Sequence, residues 1–258
     1  MTTAFGTTTT KRAQMDRTRK IALAAGVLML ITYITSIPAQ LLLYHPLLTD
    51  PAKYISGSGA DPAVSLGALL EVILVIANVG TAVVLYPVVK RQNAILALGY
   101  VTSRVLESAA IMVGIFSVLS VLTLRQDFAG APGAVTVARS LVAVHDWTFL
   151  LGPSLIGVGG TGVLLGYLMY TSGLVPRQMT LLGLIGGPLV IAATVCVLFG
   201  VFKAGSAPQV IATIPEFFWE LLLGIYTLIW GFRRVPIVDE YDRDHGIAVK
   251  ATPEPVPA

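Results

Sequence analysis

Six long apolar segments dominate this chain of 258 residues, and each is long enough to cross a lipid bilayer as a helix. A hydrocarbon core about 30 Å thick requires about 20 helical residues. The segments are continuously apolar and lack the alternating pattern of outer-membrane strands. We therefore predict an all-α polytopic transmembrane bundle, with six spans at about residues 21–44, 63–89, 94–124, 140–170, 179–202 and 210–232.

Composition excludes a soluble globular protein. Charged residues make up 12% of the chain and hydrophobic residues 55%, whereas soluble domains carry about a quarter charged residues. The polar stretches are too short for a core of their own. We predict one membrane domain at residues 21–234, a disordered N-terminal segment at 1–20 and a flexible tail at 235–258. The loop at residues 45–62 is interpreted either as a connection or as a lid over the bundle.

The basic residues predict the orientation. Ten of them flank the predicted spans on the side of the two termini, and four lie on the other side. By the positive-inside rule both termini face the cytoplasm, which requires an even number of spans. Because these residues flank apolar segments and form no stripe, no nucleic-acid partner is predicted. The ten are Lys11, Arg12, Arg17, Arg19, Lys20, Lys90, Arg91, Arg177, Arg233 and Arg234, and the four are Lys53, Arg125, Arg139 and Lys203.

Several motifs along the apolar chain resemble one bacterial membrane family. They include KIALAAGVLMLITYI, LGALLEVILVIANVGTAVVLYPVVKR, ALGYVTSRVLESAAI, VHDWTFLLGP, LLGYLMYTSGLVPR and PEFFWELLLGIYTLIWGF. Together they are similar to the family defined by domain of unknown function 4386, from about residue 20 to residue 234. The resemblance implies a multi-pass protein of a bacterial cytoplasmic membrane and implies no reaction.

Ionisable side chains within the predicted spans indicate a structural or functional role, because inserting each one costs about 2.5 to 3.5 kcal/mol at the centre of a membrane helix. Four predicted spans carry such polar residues. In spans two, three and six a pair at a spacing of seven, three or four residues shares a face, and in span four the two residues are adjacent. The candidates for binding a ligand or a proton are Glu71 and Asn78 on span two, Arg104 and Glu107 on span three, His145 and Asp146 at the start of span four, and Glu216 and Glu220 on span six.

The predicted topology brings these residues toward the outer half of the bundle. Five carboxylates then face one arginine and one histidine, so some of them should be protonated, hydrated or neutralised by a bound cation. We expect Arg104 and Glu107 to face the bundle interior. A carboxylate from span two or span six should lie within salt-bridge reach of the guanidinium.

Three functions are compatible with this pattern. In the first, the polar cluster binds or moves a small solute, a cation or a proton. In the second, it is a buried ion network of a structural or partner-binding subunit. In the third, His145 and a carboxylate act as acid and base in an intramembrane enzyme. With only three histidines and no HExxH spacing, we predict no metal site and no cofactor.

Small residues predict close helix packing. Gly162 and Gly166 in span four, and Gly183 and Gly187 in span five, have the four-residue spacing that lets membrane helices approach. The partner is either another helix of the same bundle or a second copy of the chain. Prolines within the spans, at positions 38, 153 and 188, predict kinks.

Overall fold

Helices account for all the regular structure in the part of the chain that the computed structural model describes, residues 17–57 and 61–245. Six helical segments are long and apolar enough to cross a membrane, which confirms the predicted fold class. We number them as spans one to six in chain order. They are Arg17–Leu43, Asp61–Val89, Ala94–Phe128, Ala134–Ser172, Arg177–Leu198 and Ala207–Ile229.

The continuous α-helices within these spans are labelled in chain order. Span one begins with α1 (Arg17–Pro38), and α2 (His45–Thr49) and α3 (Pro51–Ser56) follow it. Spans two and three are α4 (Asp61–Val89) and α5 (Ala94–Phe128). Span four starts as α6 (Ala134–Leu151) and ends as α7 (Gly166–Ser172). Spans five and six are α8 (Arg177–Leu198) and α9 (Ala207–Ile229), and α10 (Pro236–Asp244) follows.

Two spans contain π-helical stretches. Span one ends as π1 (Ala39–Leu43), directly after Pro38. Span four is π-helical at π2 (Gly152–Gly157), which includes Pro153, and at π3 (Gly159–Leu165). Proline has no N–H to continue the α-helical ladder, and a π-turn accommodates that break. π-Helical distortion is therefore found at Pro38 and Pro153. Pro188 lies within α8, which is one continuous α-helix.

The six spans form a closed ring. Span one packs between spans two and six, span three packs between spans two and four, and span five packs between spans four and six. Glycines allow the closest approaches. A Cβ on Gly26 would lie 2.6 Å from the backbone nitrogen of Leu228, so spans one and six meet there backbone to backbone.

The loop between spans one and two is folded over one end of the ring. Helix α3 packs on α6 and α5 and buries Tyr54 and Ile55. Arg125, at the end of α5, pairs with Asp61, and its guanidinium lies 4.7 Å from the centre of the Tyr54 ring. Helix α3 is therefore a packed cover, held by a cation–π contact between Tyr54 and Arg125.

The opposite end of the ring carries both ends of the described chain. Thr18 donates to Asp242 of α10 at 3.4 Å, and Arg91, between spans two and three, pairs with Glu240 at 3.2 Å and Asp244 at 2.7 Å. The tail was expected to be flexible from residue 235, but residues 236–244 form α10, because its acidic side chains meet Arg91 and its apolar side packs on the bundle. The rest of the expected flexible ends, residues 1–16 and 246–258, lies outside the described residues.

Candidate ligand-binding site

Arg104 is the centre of a buried polar network in the ring. Its Nη1 atom lies 2.8 Å from Oε2 of Glu107, one turn further along α5, and 3.8 Å from Oε1 of Glu220 on α9. Its Nη2 atom donates to Oδ1 of Asn78 on α4. The prediction that a carboxylate of span two or span six lies within salt-bridge reach of Arg104 is confirmed by Glu220. One guanidinium thus joins three spans.

Glu216 lies one turn before Glu220 on α9 and contacts span four. Its Oε1 atom accepts a hydrogen bond at 3.2 Å from the hydroxyl of Thr161 in π3. The backbone oxygen of Thr161 accepts from Nε1 of Trp219 at 3.0 Å. Glu216 is only 3% exposed, and its Oε2 atom has no hydrogen-bond partner among the described residues. A buried carboxylate oxygen in that state is costly, so the site favours a donor there.

The glycines of the π-helical stretch make room for both carboxylates. A Cβ on Gly157 would overlap the carboxyl group of Glu107. One on Gly162 would lie 2.5 Å from Oε2 of Glu216 and 2.8 Å from Cα of Gly187. Span four therefore approaches the acids more closely than a span with side chains at these positions could.

A cavity of about 300 Å³ lies beside these groups. Its polar wall is formed mainly by Arg104, Asn78, Glu107, Glu216 and Glu220. Aromatic side chains form part of the remaining wall, where Tyr33 and Phe217 meet edge to face and the Tyr33 hydroxyl donates to the Phe217 carbonyl at 2.7 Å. The cavity holds three carboxylates against one guanidinium. Nδ2 of Asn78 and Nε of Arg104 also have no partner in the described part of the chain.

Glu71 belongs to a separate buried cluster. Its carboxylate accepts from Nε2 of Gln40 at 2.5 Å and from the Tyr44 hydroxyl at 3.0 Å. The same Gln40 nitrogen lies 3.3 Å from Nε2 of His145, and the His145 ring stacks on Phe149. Neither Glu71 nor His145 is among the residues that line the cavity.

The eight candidate residues are thus divided between two places. Asn78, Arg104, Glu107, Glu216 and Glu220 lie together at the cavity, and Glu71 and His145 lie in the second cluster. Asp146 has a side chain that is 65% exposed and lies 3.4 Å from Nδ1 of His145. Their expected convergence in one cluster is wrong for Glu71 and His145, because Gln40 and Tyr44 bind the Glu71 carboxylate away from the cavity and Gln40 also contacts His145.

Three of the residues that contact these clusters were not predicted from the sequence. Thr161 lies in a glycine-rich segment that was interpreted only as a packing surface. A single hydroxyl at such a predicted helix contact indicates a residue that hydrogen-bonds across it. Gln40 lies near the predicted end of span one and forms its contacts from π1. Tyr44 lies at the predicted end of span one, yet its side chain is fully buried against Glu71.

The glycine pairs lie at contacts within one chain. Gly183 faces the Trp219 ring, Gly187 faces Gly162, and Gly166 faces Leu184. Close packing inside the bundle accounts for this spacing. Association of two copies through spans four and five stays a prediction.

The donor set in the described residues does not suit a metal ion. No group of three or more His, Cys, Asp or Glu side chains there is placed to hold one. An organic cation or a proton requires only a carboxylate oxygen and a charge excess, and the cavity offers both.

Comparison with known proteins agrees with the topology. Residues 24–231 match the sequence profile of a domain of unknown function, DUF4386. The chain belongs to the DUF4386 family. The match extends from span one to the end of span six, so this DUF4386 protein is a multi-pass membrane protein. No curated protein and no solved structure matched it.

Proposed function

We propose that this DUF4386 protein binds a small positively charged solute in the cavity between its spans. The unpartnered Oε2 atom of Glu216 carries the proposal, because it is a buried acceptor beside a space large enough for a ligand. A ligand that donates a hydrogen bond to this oxygen removes the cost of leaving it unpaired.

The charges at the cavity favour a cation over an anion. Glu107, Glu216 and Glu220 outnumber Arg104, and Arg104 already pairs with Glu107 and Asn78. Electrostatic attraction between a cation and an unpaired carboxylate is strong where water is scarce. Intramembrane acids at cavities of transporters and pumps bind solutes and protons in this way.

The test uses ethylammonium as the probe and the full chain in nanodiscs of zwitterionic lipid. Calorimetry should show saturable binding, and Glu216→Gln should weaken the affinity by about tenfold or more, since the loss of one charge-assisted hydrogen bond costs about 1.5 to 3 kcal/mol. The change is nearly isosteric, so the fold should persist.

Asp127→Asn is the matched control, because it removes one carboxylate from an exposed residue that does not line the cavity. Its affinity should equal that of the wild type. If infrared titration shows a carboxyl band that depends on Glu216 but ethylammonium does not bind, the proton is the cation. Absence of both effects would refute the proposal.

A structural role is the second candidate, and one observation favours it. Arg104 contacts Asn78, Glu107 and Glu220, so a single side chain holds spans two, three and six together. Such a network specifies packing without binding a solute. The structural role predicts that the Glu216→Gln and wild-type proteins have the same affinity for ethylammonium.

We also propose that both termini face the cytoplasm and that the protein resides in a bacterial cytoplasmic membrane. The excess of basic residues on the side of the termini supports this. A cytoplasm-active reporter fused after residue 258 should be active, and an export-active reporter inserted between Thr49 and Pro51 should be active outside. The reverse pattern would show that the orientation is wrong.

A further inference from the structure

A groove on the outer surface of span six borders the cavity. It has a volume of about 310 Å³ and shares Thr213 and Phe217 with the cavity wall. Its full lining is Gln209, Val210, Thr213, Ile214, Phe217 and Phe218. From residue 209 to residue 218 it follows α9 for about 14 Å, at 1.5 Å per residue.

The groove is apolar and faces away from the bundle. Val210 is 53% exposed and Ile214 is 47% exposed, although both lie within a membrane-spanning helix. Exposed surface at such positions meets lipid chains. Two polar groups of the groove already have partners: the Thr213 hydroxyl donates to the Gln209 carbonyl at 2.9 Å, and the Gln209 side-chain oxygen accepts from the Gly205 N–H at 2.7 Å.

The two spaces therefore differ in chemistry and meet at one place. The groove offers hydrocarbon-like surface, and Glu216, three residues after Thr213, offers a buried oxygen without a partner. Three residues correspond to a rise of about 4.5 Å along the helix. A molecule with an alkyl chain and a cationic head group would satisfy both spaces at once.

We infer that the solute is a membrane-dissolved primary alkylamine, with its ammonium group at Glu216 and its chain in the groove on span six. This inference rests on the proposed function and names its substrate class. The ammonium must carry N–H bonds, because Oε2 of Glu216 requires a donor and a quaternary ammonium has none. Entry is lateral, past Thr213 and Phe217, so the chain never leaves the hydrocarbon.

The experiment uses decylamine with a photoreactive diazirine at the end of its chain, and the full chain in nanodiscs of zwitterionic lipid. Light-induced labelling should concentrate on residues 209–218. Glu216→Gln should reduce labelling there by about tenfold, in line with the loss of one charge-assisted hydrogen bond. The same probe with a trimethylammonium head group should label that segment no more than the other lipid-facing surfaces.

Two variants separate the groove from the head-group site. Ile214→Trp places a large ring in the groove at a residue that does not line the cavity, and it should abolish the concentrated labelling while ethylammonium binding by calorimetry persists. Ile76→Trp, at an exposed position of span two, is the matched control and should change neither.

The outcomes distinguish a failure of the alkylamine inference from a failure of the proposed function. Labelling could be diffuse and unchanged by Glu216→Gln while ethylammonium binding depends on Glu216. That result would overturn the alkylamine inference and leave the proposed function standing. Equal labelling by both head groups would also overturn it. Failure of ethylammonium binding together with diffuse labelling would overturn both.

Discussion

Replacing Arg104 with alanine should lower the free energy of unfolding by about 3 to 5 kcal/mol, because it leaves buried partners without their counter-charge. Glu107 is 6% exposed and loses its 2.8 Å contact, and Asn78 loses its donor. Glu220 loses the only basic group that contacts it in the described residues. Denaturant unfolding in detergent micelles would measure the difference.

Arg139→Ala supplies the control for this loss. Arg139 is an exposed residue at the opposite end of the ring from α10, and surface substitutions usually change stability by no more than about 0.5 kcal/mol. Equal unfolding midpoints for the two alanine variants would contradict a buried, paired Arg104. A stability loss without a change in ethylammonium binding would favour the structural candidate over the solute-binding one.

The spans were predictable because hydrophobic length is a direct physical requirement of the bilayer. Their ends were less predictable. Span four begins at Ala134 rather than near residue 140, since its first turns pack under α3 and need not be strongly apolar. Helix α10 was missed because its composition is acidic, and its contacts with Arg91 and with the apolar core show why it is ordered.

Part of the candidate site followed from helix periodicity. Arg104 and Glu107 are three residues apart, so they share a face, and the ring places Glu220 opposite them. The separation of Glu71 from this network did not follow. It depends on π1, which presents Gln40 to Glu71, and no spacing rule for an α-helix predicts that contact.

The position of Glu216 depends on span four in a similar way. Thr161 reaches it from π3, and Gly162 leaves space for its carboxylate. The prolines and glycines of span four were evident from the sequence, but the positions of its π-helical stretches were not. The cavity itself arises from the gap between spans, which is a property of packing and not of any one segment.

Trp219→Ala should be the second strongly destabilising change, by about 3 to 5 kcal/mol, which is the usual cost of emptying a large buried aromatic site. Trp219 is fully buried within the core cluster, and its indole lies so close to span five that a Cβ on Gly183 would be 2.6 Å from the ring. Its indole N–H also orients Thr161, the hydroxyl partner of Glu216. Unfolding in detergent micelles would measure the loss.

Trp230→Ala is the matched control, since that indole is 64% exposed at the end of span six and should cost far less. Trp219→Phe separates the two contributions of the buried side chain. It keeps most of the apolar contact and removes the N–H, so it should cost about 1 kcal/mol for the hydrogen bond, with a further term for the smaller ring. Similar losses for Trp219→Ala and Trp230→Ala would show that spans five and six do not pack around this indole. If Trp219→Phe also weakens ethylammonium binding while Trp230→Ala does not, then the hydrogen bond to Thr161 positions Glu216 for its ligand.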